Sequence, residues 1–262
     1  MNSPHPALFV GHGSPMNTLE DNANSRTWRD WGARLPHPRA ILAISAHWET
    51  DGLAVTAMPC PRTLHDFSGF PRRLAEFTYP APGDPDLARR VAELLAPEPV
   101  RLDQDWGLDH GAWSILAHLY PGAGIPVVQL SLDSKRGAAA HFALGQRLRP
   151  LRDEGVLILG SGNIVHNLHR MDWHRREGGF TWAERFNNRV RRQLLEQDRA
   201  GLCRLDDDDA RLAVPTPEHY LPLLYVAAAQ DAGEYLTLLN DHIEYGAIAM
   251  LSAWVGHMKV AA

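Results

Sequence analysis

The sequence predicts a three-layer α/β/α fold around a central mixed, largely parallel sheet, with residues 1–262 forming one domain. Short apolar runs without alternation recur at Ala7–Val10, Ala40–Ile44, Val127–Leu132 and Val156–Leu159, the pattern of strands covered on both faces. Amphipathic stretches of helical length lie between and after them, and strands that alternate with helices build layered α/β domains. A chain of 262 residues, 45% hydrophobic, has enough apolar side chain to fill both layers of such a core.

Taken in order, Ala7–Val10 is the first strand and runs into Gly11-His12-Gly13-Ser14-Pro15. Ala40–Ile44 is the second and runs into Ser45-Ala46-His47-Trp48. Pro59-Cys60-Pro61 and Pro80-Ala81-Pro82-Gly83 are loops. Asp84 to Ala96 reads as a helix capped by Asp84 with Pro85 at the first helical position, placing Leu87, Val91, Leu94 and Leu95 on one face. Val127–Leu132 follows as a strand and Ala138–Arg152 as a helix. Val156–Leu159 is the fourth strand and leads to Gly160-Ser161-Gly162-Asn163-Ile164-Val165-His166. Trp182–Gln197 and Pro217–Gln230 are helices, the latter with Thr216 as cap and His219 in the first turn. Asp206–Asp209 is a solvated acidic loop. The run Ile248–Val255 suits either a strand or a short helix.

Composition removes several function classes. The net charge is −5, and the 26 Lys and Arg residues are scattered, so no basic surface invites nucleic acid. No segment approaches the roughly 18 uninterrupted apolar residues of a membrane span. The residues Met1–Pro6 lack a basic leader segment. Cys60 and Cys203 have no CxxC spacing, which excludes a thiolate zinc site and suits a reducing compartment. The expected location is cytoplasmic, as a monomer or small homo-oligomer.

Histidine is the outlier, with 14 in the chain. His12, His47 and His166 each follow a predicted strand, and parallel strands bring such residues to the one edge where open α/β sheets bind ligands. His219 would join them from a helix N-terminus. Glycines beside His12 and before His166 permit tight turns there. His110 and His65 lie in loops. His5, His37, His118, His141, His169, His174, His242 and His257 read as structural or surface residues. A cluster of neutral imidazoles suits iron, zinc, copper or nickel. With open coordination positions such a site polarises a carbonyl, activates water, or binds O₂ beside a substrate. The cluster alone leaves oxidation and hydrolysis both open.

The segments Gly11-His12-Gly13-Ser14-Pro15-Met16, Ser45-Ala46-His47-Trp48, His65-Asp66-Phe67-Ser68-Gly69-Phe70-Pro71, Asp109-His110-Gly111-Ala112-Trp113, Gly160–Leu168 and Pro215–Pro222 together resemble the class III extradiol ring-cleavage dioxygenases, LigB-like, in the branch that cleaves 4,5-DOPA. The resemblance is collinear over nearly the whole chain. It implies an α/β catalytic domain that opens a catechol ring with O₂ and one divalent metal, Fe(II) for oxygenase activity or Zn(II). It further implies metal ligation by His12 and His47, a metal-facing position for His219, and a role for His166 as ligand or acid/base. His110 would contact substrate or bound oxygen, and His65 would line the pocket. The broader class uses two histidines and one carboxylate. Here no carboxylate holds an obvious third place, although Glu218 adjoins His219. A zinc-dependent amidase or esterase and a non-catalytic binding protein of the same fold are the alternatives.

Overall fold

The computed structural model describes residues 3–256; His257 and the first two residues of Met1–Pro6 lie outside them. The strands are β1 (Ala7–Gly11), β2 (Ala40–Thr50), β3 (Leu53–Thr56), β4 (Val100–Asp103), β5 (Val127–Asp133), β6 (Val156–Gly162), β7 (Leu236–Leu239), β8 (Ile243–Glu244), β9 (Ile248–Ala249) and β10 (Ser252–Val255). The helices are α1 (Ala23–Arg34), α2 (Arg72–Ala75), α3 (Pro85–Leu95), α4 (His110–Leu119), α5 (Ala138–Leu148), α6 (Pro150–Asp153), α7 (Thr181–Leu195), α8 (Arg199–Leu202), α9 (Asp208–Ala213) and α10 (Leu221–Ala228).

Eight strands form one mixed sheet in the order β4-β3-β5-β2-β6-β1-β10-β7, and β8 and β9 pair separately. The centre, β5-β2-β6-β1, is parallel. Antiparallel pairs flank it, β3 with β5 on one side and β10 with β1, then β7, on the other.

The apolar runs follow from two-sided burial. Along β1, Ala7 and Phe9 join one core while Leu8 and Val10 join the other; along β2, Ala40, Leu42 and Ile44 oppose Ile41 and Ala43. With both faces dry, every position favours an apolar side chain and no alternation survives. Trp28 and Trp31 of α1 and Trp113 and Leu116 of α4 cover one face. Leu87 of α3, Phe142 of α5, Phe186 of α7 and Leu223 of α10 cover the other. The expected three layers and the predicted capping of α3, with Asp84 accepting from the Asp86 and Leu87 amides and Pro85 opening the helix, are present.

Three elements differ from expectation, and one that the sequence leaves open is decided. The helix read over Ala138–Arg152 divides into α5 and α6, because Pro150 has no N–H to continue the ladder. The helix read from Pro217 begins only at Leu221, so His219 lies in the preceding turn. The His219 carbonyl accepts from the Asn163 amide at 2.9 Å, and Pro222 has no N–H to give the Glu218 carbonyl a helical bond. The Thr216 hydroxyl bonds Glu218 Oε1 instead of capping. The acidic run is not a solvated loop: Asp207 caps α9 through the Ala210 amide, and Asp207 and Asp209 pair with Arg189 and Arg185 of α7. Ile248–Val255 resolves into strands β9 and β10.

Candidate metal centre and active site

Strand register decides where the imidazoles meet. Ser161 of β6 stands opposite Val10 of β1 and Ser45 of β2, so the chain leaves these parallel strands at one edge. His12 follows β1 immediately, turned by Gly13 in the left-handed region (φ +58°), a conformation that favours glycine. His47 lies within β2, which extends past a register shift between Ile44 and Glu49 and so runs beyond the predicted strand. His166 lies beyond β6, its amide bonded to the Ala213 carbonyl. His219 is seated against β6 at Gly162, where any Cβ would press into the His219 carbonyl. His110 is the first residue of α4, whose cap Asp109 accepts from the Ala112 amide.

Five imidazoles thus converge. The His12 ring centroid lies 5.1 Å from His47, 5.3 Å from His219 and 5.9 Å from His110. His47 and His110 are 3.9 Å apart, and His166 and His219 stack at 3.5 Å with planes 9° from parallel. Ligand atoms of His12, His47 and His110 all lie within 4.8 Å of one another, as do those of His166, Glu218 and His219.

Hydrogen bonds set the tautomers. The Ser161 hydroxyl donates to the Gly111 carbonyl at 2.5 Å and therefore accepts from His12 Nδ1 at 2.9 Å, leaving the His12 Nε2 lone pair facing inward. His219 Nδ1 donates to Glu218 Oε1 at 3.0 Å, and its Nε2 is buried without a hydrogen-bond partner. His12 Nε2 and His47 Nε2 approach to 3.3 Å, the spacing that two nitrogens at about 2.0–2.1 Å from one ion adopt at a near-tetrahedral angle. A bare buried Nε2 and two Nε2 atoms turned on one point fit a metal ion.

Burial keeps these rings neutral, as ligation requires. His12 and His219 are held well below the usual histidine range, first by desolvation and then by neighbouring imidazoles. His47 is lowered to about 3 by burial and His110, against the pull of Asp66 and Glu218. His166 is lowered to about 4 by burial, with Glu218 opposing. Beneath the site, Asp109 is fully buried and pushed up to about 6 by desolvation and Asp66.

His65 stands apart. Its Nε2 faces the Phe77 carbonyl at 2.9 Å and its ring packs on Phe67 and Trp113. Phe67 in turn lies 5.5 Å from His110, which puts His65 one ring behind the cluster. His5, His118 and His141 are bonded to Pro36, Asn17 and Tyr225 respectively. Sequence reasoning missed Ser161 as an orienting group and Asp66, whose carboxylate faces both His47 and His110. The available signal was the pairing of acid with histidine in His65-Asp66, Asp109-His110 and Glu218-His219.

A largely parallel α/β sheet with neutral imidazoles gathered at its carboxyl edge defines a metal-binding α/β enzyme. Residues 2–255 match the family model for the catalytic LigB subunit of aromatic ring-opening dioxygenase, and the chain belongs to this family. It is 52% identical over 256 residues to the 4,5-DOPA dioxygenase extradiol of Escherichia coli (strain K12), covering 96% of this chain and 94% of that one. The Beta vulgaris protein of the same name is 38% identical over 247 residues, covering 91% and 92%. A crystal structure of an uncharacterized protein from Escherichia coli K12 superposes with a TM-score of 0.85 at 49% identity, covering 96% of this chain and 100% of that one. The chain is a metal-dependent extradiol ring-cleaving dioxygenase acting on a small molecule and O₂, and the hydrolase and binding-module alternatives are not favoured. Among the described residues no helix is long and apolar enough to cross a membrane.

Proposed function

We propose that this protein opens a catechol such as L-DOPA at the 4,5 bond, using one Fe(II) held by His12, His47 and His219, with His166 as acid/base. The bare, buried Nε2 of His219, on a ring whose centroid lies 5.3 Å from that of His12 and 5.0 Å from that of His47, together with the paired Nε2 atoms of His12 and His47, is the observation that carries this ligand set. The stacking of His166 on His219 separates the two roles. Imidazole lone pairs lie in the ring plane, and these two rings stack with centroids 3.5 Å apart and planes 9° from parallel, so their lone pairs run side by side; His219 would hold the ion and His166 the proton. The names of the Escherichia coli and Beta vulgaris relatives support the substrate class.

When bound, Fe(II) supplies the Lewis acidity and O₂ chemistry that ring cleavage needs. The chain's residues do the rest. His166, neutral at pH 7, accepts a catechol hydroxyl proton, and Glu218 steadies the charge it gains. His110 would contact the substrate or the bound oxygen. Phe67, backed by His65 and Trp113, walls the cleft with apolar surface. Cleavage beside a hydroxylated carbon, with both O₂ atoms entering the product, gives a muconic semialdehyde.

A second assignment of the third ligand, His110, is favoured by the mutual 4.8 Å spacing of its ligand atom with those of His12 and His47. Metal content of His110→Ala and His219→Ala decides between them. The activity is tested by O₂ uptake of anaerobically Fe(II)-loaded protein with a panel of catechols; no catechol-dependent uptake refutes the reading.

A further inference from the structure

We infer that Asp66 is a positioning residue that fixes the orientation and tautomer of two imidazoles at once, His47 and His110; the inference rests on the metal-centre reading above. Asp66 Oδ2 lies 2.9 Å from His110 Nδ1, an ion-pair contact set off the hydrogen-bond line, and 3.5 Å from His47 Nδ1. Its other oxygen, Oδ1, accepts from the His110 backbone N–H at 3.0 Å. The carboxylate is therefore anchored to the first turn of α4 by one oxygen and faces both rings with the other.

A ring nitrogen 2.9 Å from a carboxylate oxygen is held there favourably only if it carries the proton, because a bare lone pair would face an anion. Nδ1–H toward Asp66 leaves the His110 Nε2 lone pair turned away from the carboxylate. The same preference acts more weakly on His47, whose Nε2 is the atom that meets His12 Nε2 at 3.3 Å. Ser161 does this for His12 and Glu218 for His219. Asp66 differs in serving two rings, whose centroids are 3.9 Å apart. It touches neither substrate nor metal and acts through its neighbours.

The substitution Asp66→Asn reverses the instruction. Its one remaining side-chain oxygen is needed to accept from the His110 amide, so the new carboxamide N–H₂ would face both rings and demand a lone pair at Nδ1. The proton then moves to Nε2, which in His47 is the atom that would bond the metal.

The test is cobalt(II) titration of chelator-treated protein, read by visible absorption, for the parent and for Asp66→Asn, Asp66→Ala, Asp66→Glu and His12→Ala. Far-UV circular dichroism and urea unfolding of each metal-free form accompany it. Asp66→Asn and Asp66→Ala bind cobalt(II) about 10–100-fold more weakly, with metal-free unfolding midpoints close to the parent, and Asp66→Glu recovers part of the affinity. If Asp66→Asn does not fold, the Ala and Glu variants carry the comparison. Affinity within about twofold of the parent in the Asn and Ala variants, well short of the expected loss, overturns the role of Asp66. No catechol enters the measurement, so failure of the substrate reading leaves it intact. Full cobalt(II) binding by His12→Ala overturns the metal centre and this inference with it, whereas loss in His12→Ala beside parent-like Asp66 variants removes Asp66 alone.

Discussion

His166 and His219 stack face to face, their centroids 3.5 Å apart and their planes within 9°. The in-plane lone pairs of two rings so arranged run side by side, and on the proposed division of roles their substitutions separate binding from chemistry. His219→Ala is expected to lose most bound metal. His166→Ala is expected to retain it while kcat falls by roughly 10²–10⁴-fold, the usual worth of a positioned acid/base. Metal analysis by mass spectrometry with O₂ uptake on the same samples checks both. Equal metal loss in the two variants contradicts the division.

Acid sensitivity follows from the buried neutral rings. His166 titrates at about 4 when folded against 6.5 when free, chiefly because burial disfavours the imidazolium. Between those values the unfolded chain holds a proton that the folded chain lacks. Stability is therefore full above pH 6.5 and falls as pH drops towards 4. The share of His166 is roughly 3 kcal/mol at most. His47, lowered to about 3, adds loss of the same sign. Urea midpoints of chelator-treated protein should decline from pH 7 to pH 4, and His166→Asn should flatten the decline. A midpoint constant over that range refutes it.

Far from the site, Arg152 has no exposed side-chain surface. It binds both Glu234 oxygens at 2.6 Å, the Ala229 carbonyl at 2.5 Å and the His5 carbonyl at 2.7 Å. Removing Glu234 strands a buried guanidinium, so Glu234→Ala should cost about 3–5 kcal/mol. Denaturant unfolding at pH 7 measures it. Metal content of the folded fraction should stay at the parent level, since the pair does not contact the imidazoles.

Gly162 is the point where β6 and the His219 turn approach most closely. Gly162→Ala drives a methyl group into the His219 carbonyl and competes with the bond from the Asn163 amide. Overpacking of this kind costs roughly 1–3 kcal/mol. The strain falls on the backbone that carries a ligand, so metal affinity should drop with stability. Calorimetry of metal binding, compared with the metal-free unfolding midpoint, separates the two effects.

The parallel centre of the sheet is legible because two-sided burial leaves unbroken apolar runs, and the edge residues His12, His47 and His166 follow from it. The outer strands are not. The burial of β4 and β7 is partial, at Val100–Asp103 and Leu236–Leu239, and a short, half-covered strand leaves little periodicity. The start of α10 is hidden because Thr216 and Pro217 are good initiation residues locally, while the His219 carbonyl accepts a tertiary bond from the Asn163 amide. Sequence alone joins His219 to the cluster from a helix N-terminus and leaves His110 in a loop, where only the family resemblance gives it a role. The Asp66 carboxylate acts on His47 and His110, 19 and 44 residues away, through contacts that the neighbouring His65 does not reveal.

Strand β6 stands between β1 and β2, which carry His12 and His47, and the two never pair with each other. During synthesis the first two proposed ligands therefore emerge early but have no common scaffold until the chain has been made through residue 162 and β6 has inserted between them. Metal loading must await that insertion, and His219 arrives later still. A truncated or stalled chain ending before β6 would offer a metal ion histidines with no common sheet edge rather than a site, so the expected order of biogenesis is assembly first and metallation afterwards.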